Sequence, residues 1–276
     1  MPELPEIETI VNGLDQLIPG RILEEVTWDW ERSFPNSQEA LDSVIGNTIT
    51  VVRRRGKAVL IELSSRKTIM VHLKMTGQLV FQGSGAVSPF PDRSTRVIFH
   101  FSDGSRLYFN DIRKFGRVWI LTPKELKENK FLNSLGPEPL SRGFTAKVFQ
   151  ERMLQREGTF VKAALLDQTV VAGIGNIYCD EALFLSGIMP DRRVRTLTNE
   201  EFTRLHRAIR KVLRLAIELG GSTRTNYLNA TGGIGFYLDH ALVYNRQGQP
   251  CEKCGRPILK IRVAGRGTHV CPYCQK

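Results

Sequence analysis

The 276-residue chain has no run approaching the ~18 consecutive apolar residues of a membrane-spanning helix, and no positively charged leader ahead of an apolar core. It is therefore expected in the cytoplasm, with no membrane partner. Cysteine is scarce: there are five, an odd number, and four of them lie between positions 251 and 274. That distribution excludes the disulfide framework of a secreted scaffold. No internal repeat and no low-complexity tract is present, which excludes a solenoid. Acidic residues are in deficit, with 28 Asp and Glu against 39 Lys and Arg, and the formal net charge is +11. Such an excess favours a polyanionic partner, nucleic acid before a membrane surface.

The hydrophobic pattern changes along the chain. Ile7, Ile10, Val11, Leu14, Leu17 and Ile18 fall at helical spacing and predict an amphipathic helix from about residue 5 to 18, stopped by Pro19-Gly20. From about 21 to 121 the runs "NTITVVRRR", "KAVLIEL", "TIMVHL", "QLVFQ", "TRVIFHF", "SRLYFN" and "RVWIL" are short, β-branched or aromatic, and separated by turn signals. Many strands without intervening helices predict a sandwich or barrel. "KENKFLNSLGPEPLSRGF" reads as a linker. Beyond about 145 the period is helical, and "TNEEFTRLHRAIRKVLRLAIELGG" is an amphipathic helix capped by Thr198 and ended by Gly220-Gly221. A glycine-rich stretch, "STRTNYLNATGGIGF", leads to a small cysteine-bearing module.

Two features carry chemistry. Cys251-x-x-Cys254 and Cys271-x-x-Cys274 are separated by sixteen residues, the spacing of a Cys₄ zinc ribbon. Four thiolates complete a tetrahedral shell, so the expected cofactor is one structural zinc ion. Cys179 is left over and is expected to be a buried small side chain. Between the two knuckles, "ILKIRVAGRGTHV" predicts a hairpin that presents Arg266 between glycines. Backbone there can approach a phosphate that arginine grips in bidentate fashion. The opening "MPELPEIETI" has two readings on its own pattern: the polar entry to a helix, whose dipole the glutamates complement, or chemistry at Pro2 once Met1 is removed.

In order and spacing, "MPELPEIET", "RRRGK" (53–57), "HLKMTG" (72–77), "DIRKFG" (111–116), "LGPEPL" (135–140), "LLDQTVVAGIGNIYCDEALF" (165–184), "GGST" (220–223) and "AGRGTHVCPYCQ" resemble the formamidopyrimidine-DNA glycosylases over essentially the whole chain. These are bacterial base-excision enzymes for oxidised purines. The resemblance implies an α+β multidomain fold: an N-terminal catalytic β-sandwich (1–130), a helix-two-turn-helix DNA-binding domain (131–222), a lesion-capping loop (223–240) and a Cys₄ zinc finger hairpin (241–276). It implies a monomer acting on double-stranded DNA that carries oxidised purines or abasic sites, in the cytoplasm at the nucleoid. Pro2 would be the nucleophile, forming a Schiff base, with Glu3 as its acid–base partner and Glu6 in support. Lys57 and Arg266 would serve catalysis at the phosphate. Lys162 and Asn176 would contact the DNA backbone. His72, with no metal-spaced partner in the sequence, is expected to be a structural or DNA phosphate-contact imidazole and not a metal ligand. Met75, Arg113 and Phe115 would fill the space left by a flipped base.

Three places depart from the family pattern. Ser94 stands where histidine is usual, Arg224-Thr225 alters the capping segment, and "VYNRQG" replaces the commoner Val-Tyr-Gly-Arg. Two alternatives stay open in the sequence. One is the endonuclease VIII branch, which prefers oxidised pyrimidines and usually begins Met-Pro-Glu-Gly; Leu4 and "RKF" favour the purine branch. The other is a non-enzymatic zinc-ribbon nucleic-acid binder, which has no use for a free Pro2 amine.

Overall fold

The computed structural model describes residues 1–276 except 88 and 224–226. The altered pair Arg224-Thr225 therefore lies outside the described residues. The chain divides into two compact units: Met1–Asn133 with Gly220–Gly235, and Ser134–Leu219 with Phe236–Lys276.

In the first unit the helix α1 (Leu4–Leu17) precedes eight strands: β1 (Leu23–Trp28), β2 (Ile49–Arg55), β3 (Ala58–Leu63), β4 (Thr68–His72), β5 (Gly77–Gln82), β6 (Thr95–Phe101), β7 (Arg106–Asp111) and β8 (Arg117–Leu121). A one-turn helix α2 (Gln38–Asp42) lies between β1 and β2. The strands form two four-stranded sheets, ordered β2-β3-β4-β8 and β1-β6-β7-β5, and every pairing is antiparallel. Side chains from both sheets and from α1 share one hydrophobic core, which includes Ile10, Leu14, Val59, Val71, Val97 and Phe109. α1 contributes because its apolar residues recur at helical spacing, leaving Leu4, Ile7, Ile10 and Leu14 without solvent exposure. Each such side chain is worth roughly 1.5–3 kcal/mol of hydrophobic burial. The sandwich and α1 are as expected, but β1, in "LEEVTW", alternates too weakly to stand out in the sequence.

The predicted linker is partly helical. Thr122 caps α3 (Pro123–Glu128) through a capping box with Glu125, and a further turn, α4 (Lys130–Ser134), follows. Pro123 suits the first turn of α3, which starts ahead of the predicted linker and runs into its first two residues, Lys127 and Glu128.

The second unit contains α5 (Ala146–Leu154), α6 (Val161–Leu166), α7 (Asn176–Ser186) and α8 (Asn199–Glu218), then the hairpin β9 (Leu259–Val263) and β10 (Arg266–Val270). Thr198 caps α8, with Glu201 completing the box, and α7 and α8 pack together. Glu181 of α7 is fully buried and takes the N–H groups of Leu242, Val243 and Tyr244 at 2.7–2.9 Å, together with the Tyr237 hydroxyl at 3.2 Å. It thereby fixes the segment that leads into the cysteine module. That segment holds Asn245 at φ +63. A left-handed residue explains why glycine is common there, and Asn is the side chain that tolerates the conformation best. No helix among the described residues is long and apolar enough to cross a membrane.

Candidate active site and metal centre

The terminus "MPELPE" is built into the fold. Pro2 and Glu3 are buried, and Glu3 is the N-cap of α1. Glu6, one turn on, accepts the Glu3 N–H at 2.7 Å on Oε2, and the Ser222 N–H at 2.7 Å and hydroxyl at 3.0 Å on Oε1. Its carboxylate thus clamps the terminal residues to Ser222, directly before the predicted capping loop. The backbone at Gly221 runs at φ +84, and a Cβ there would lie 3.0 Å from Glu6 Oε1, so the approach needs glycine. Ordinary helix entries fray; this one is covered and bonded.

Lys57 follows the β2–β3 turn at Gly56 and is only 7% exposed. The hairpin that carries it is tied to α1 by Arg54, which donates to Glu8 Oε2 at 2.5 Å and to the Gly56 carbonyl at 3.0 Å. Ala58, the next residue, pairs in register with His72. Burial first, then the Lys74 and Lys57 ammonium groups, lower the His72 pKa from 6.5 to about 4. The imidazole is neutral near pH 7, its Nδ1 accepts the Lys74 N–H at 3.0 Å, and its ring meets Phe131 edge-on. His72 therefore holds a turn and brings no positive charge to a phosphate.

Met75 and Phe115 are exposed, unlike most residues of their kind, and Arg113 is exposed beside them in the chain. The Arg113 guanidinium lies 4.8 Å from the centre of the Phe115 ring. The topology brings these residues to one corner. Residues 73–76 lead from β4 to β5 and residues 112–116 from β7 to β8, each crossing between the sheets, while Gly77 pairs with Asp111 and His72 with Arg117.

In the second unit, Ala264 (φ +47) and Gly265 (φ +75) make the two-residue turn between β9 and β10, and Arg266 projects, exposed, from the start of β10. Asn176, the first residue of α7, donates from Nδ2 to the Gly267 carbonyl at 3.1 Å. A helix N-terminus and an exposed arginine thus share one hairpin tip, an arrangement suited to an anion. Lys162, expected as a phosphate contact, has no exposed surface. Its Nζ is held by Asp180 Oδ1 at 2.6 Å, Thr268 Oγ1 at 2.8 Å and the Gly267 carbonyl at 3.3 Å. In this structure its ammonium anchors the hairpin, bonded within the protein on the three groups named. Sequence reading passed over Asp180 and Glu181, although two adjacent acids within the apolar helix "IYCDEALF" were a signal: acids are almost never fully buried unless paired.

The sulfurs of Cys251, Cys254, Cys271 and Cys274 lie within 4.8 Å of one another, with Cys251–Cys274 at 3.8 Å and Cys254–Cys271 at 3.5 Å. A tetrahedral zinc with bonds of about 2.3 Å requires sulfurs about 3.8 Å apart. The donor set fits one zinc ion in a closed, structural shell. Gly255, at φ +73, turns the first knuckle and donates its N–H to the Cys251 carbonyl at 2.8 Å. Cys251 and Cys271 pack with Phe184, Val243 and Ile258 in a small core of their own. Cys179 is buried, as expected.

Ser94 donates its N–H (2.7 Å) and hydroxyl (2.6 Å) to Asp92 Oδ1 and so closes a local turn before β6.

Comparison with known proteins agrees with this arrangement. Residues 1–118 match the formamidopyrimidine-DNA glycosylase N-terminal domain, residues 135–227 its H2TH domain, and residues 248–276 the zinc finger found in FPG and IleRS. The formamidopyrimidine-DNA glycosylase of Geobacillus kaustophilus is 43% identical over 279 residues, covering all of both chains. The crystal structure of the MutM (Fpg) protein of Thermus thermophilus superposes with a TM-score of 0.89 at 40% identity, covering 99% of this chain and 98% of that one. The Lactococcus lactis Fpg in complex with DNA containing an abasic site gives a TM-score of 0.90 at 33% identity, with 99% of each chain covered. With all three domains matched in order, and likeness running the length of both chains, this protein belongs to the formamidopyrimidine-DNA glycosylase family and its finger holds one structural zinc ion.

Proposed function

We propose that the chain is a bifunctional DNA glycosylase and AP lyase of base excision repair, which removes oxidised purines through a Schiff base at Pro2 and then cuts the strand by β,δ-elimination. The observation that carries this reading is the enclosed terminus. A buried Pro2 followed by a bonded Glu3 and Glu6 is a costly construction for a chain end, and it suits a secondary amine held for attack. An α-amino group has a reference pKa near 8, so part of it is unprotonated at neutral pH, unlike an ordinary lysine. With Met1 removed, the Pro2 nitrogen donates its lone pair to C1′ and the glycosidic bond breaks with its electrons going to the base; the nitrogen then loses its proton, the C1′–O4′ bond breaks with its electrons going to a protonated O4′, and the freed lone pair forms the iminium. Glu3 assists opening of the sugar ring. The iminium acidifies the neighbouring C–H, so the two phosphate bonds can leave in turn.

In this reading residues 1–130 are the catalytic sandwich, 131–222 the helix-two-turn-helix domain, 223–240 the cap over the flipped base and 241–276 the finger. Lys57, Asn176 and Arg266 grip the phosphate backbone. Met75, Arg113 and Phe115 enter the gap in the duplex, and Arg113 reads the orphaned base. The enzyme works in the cytoplasm on the DNA of the nucleoid. Its relatives are bacterial proteins, and the structures of the Lactococcus lactis relative hold abasic-site DNA and N7-benzyl-Fapy-dG DNA.

Borohydride reduction tests the reading. On a duplex containing 8-oxoguanine it should link protein to DNA, with the adduct mapped to Pro2 by mass analysis, and protein retaining Met1 should give none. Equal trapping with Met1 retained overturns the nucleophile, and faster trapping on oxidised pyrimidine DNA moves the chain to the endonuclease VIII branch. No trapping on any lesion or abasic duplex leaves a zinc-ribbon DNA binder.

A further inference from the structure

Asp111, the first residue of "DIRKFG", is a buried carboxylate with no part in the reaction as derived, and it is fully hydrogen-bonded to two separate segments. Oδ1 accepts the hydroxyl of Thr76 and, at 3.2 Å, the N–H of Arg113. Oδ2 accepts the N–H of Gly116 at 2.6 Å. Thr76 Oγ1 in turn accepts the same Arg113 N–H at 3.2 Å. One carboxylate and one hydroxyl thus join the turn that bears Met75 to the loop that bears Arg113 and Phe115. The Asp111 backbone is itself fixed: buried Arg96 donates from Nε to the Asp111 carbonyl at 3.1 Å, and the Asp111 N–H reaches the Ser94 carbonyl at 2.7 Å.

Both segments are built without slack. A Cβ on Gly116 would fall 2.4 Å from the Phe109 ring, and one on Gly77 would fall 2.4 Å from the Leu73 carbonyl oxygen. Lys74 and Lys114, each directly before an insertion residue, sit at φ +53 and +57. Left-handed backbone at a non-glycine residue persists where surrounding bonds over-determine it. Here His72 takes the Lys74 N–H and Asp111 takes the groups around Lys114.

We infer that Asp111 and Thr76 are positioning residues that lock Met75, Arg113 and Phe115 into one rigid wedge, and that this lock sets the rate of insertion and the choice of opposite base. The inference rests on the reading of those three residues as the group that enters the duplex. Its mechanism is pre-organisation: an exposed arginine that must read one base edge loses discrimination when its loop can move independently of the residues that open the stack.

Thr76→Val keeps the shape and removes the hydroxyl. With 8-oxoguanine duplexes carrying 2-aminopurine beside the lesion, the fluorescence rise on insertion should slow about tenfold, the loss of a hydrogen bond to a charged carboxylate. The preference for cytosine over adenine opposite the lesion should shrink by a similar factor. Borohydride trapping on a preformed abasic site should stay at the wild-type level. Thr76→Ser, which restores the hydroxyl, should recover insertion and selectivity, and Asp111→Asn, whose amide nitrogen cannot accept, should reproduce the Val phenotype. Unchanged insertion and selectivity in Thr76→Val overturn the lock. So does a loss of trapping in parallel with insertion, because the residue would then merely support the fold. If the wild type shows no preference and Arg113→Ala matches it, the wedge reading itself fails, and the lock with it.

Discussion

At neutral pH the His72 imidazole accepts the Lys74 N–H, a bond open to it only while Nδ1 is unprotonated. Its folded pKa of about 4 lies below the 6.5 of the unfolded chain, so the unfolded state takes up the proton first as acid is added. Stability from this group is therefore complete above pH 6.5 and is lost as pH falls through 4, by about 3 kcal/mol in total. Urea unfolding of wild type and His72→Asn at pH 7 and pH 4 should show the variant losing less by about that amount, since its amide oxygen can accept the same N–H at either pH. Parallel losses would contradict the neutral-acceptor role. This assignment was not readable in the sequence, where "VHLK" suits a phosphate contact equally well. Burial and the two nearby ammonium groups, both products of tertiary packing, decide it. Lys162 shows the same limit: a lysine in a basic chain reads as a DNA contact until its ammonium is found between a buried aspartate and a carbonyl.

Elements whose signal is local were legible in advance. The hairpin of β9 and β10 follows from alternation around "AGRG", the knuckles from cysteine spacing, and α8 from its caps and apolar stripe. What could not be read is how the hairpin is held. Its Thr268 and Gly267 meet Lys162 and Asn176, about a hundred residues away in sequence. The Lys162–Asp180 pair has no solvent exposure on either side chain. Removing one partner of such a pair leaves an uncompensated buried charge, typically at a cost of about 3–5 kcal/mol. Lys162→Met should accordingly lower the thermal midpoint and the urea stability by that order. A surface phosphate ligand would instead leave stability within about 0.5 kcal/mol of wild type, so a calorimetric scan separates the two roles.

Across the whole molecule, the residues proposed to grip phosphate are divided between the two units, Lys57 in the first and Asn176 and Arg266 in the second. The net charge of +11 foretold a polyanionic partner but not which of 39 cations meet it. Only the turn at residues 264–265, the N-terminus of α7 and the enclosed β2–β3 hairpin single them out. Each phosphate neutralised by the protein contributes about 0.9 to the slope of log affinity against log salt on duplex DNA. Arg266→Ala and Lys57→Ala should each reduce that slope by about one unit on undamaged and damaged duplexes alike, and an unchanged slope would remove the residue from the phosphate contacts. The bond from Ser222 to Glu6 spans 216 positions, and the segment 220–235 belongs to the same unit as residue 1. On a ribosome, which adds roughly 5–20 residues per second, the first residues wait some tens of seconds for the partner that encloses them. The strands of the sandwich are all made by residue 121, but the bond that ties the terminus down waits until α5–α8 of the second unit have been synthesised. A nascent chain cut short anywhere before residue 222 therefore carries Pro2 and Glu3 without the Ser222 bond to Glu6, and the earliest-made part of this enzyme is among the last to be finished.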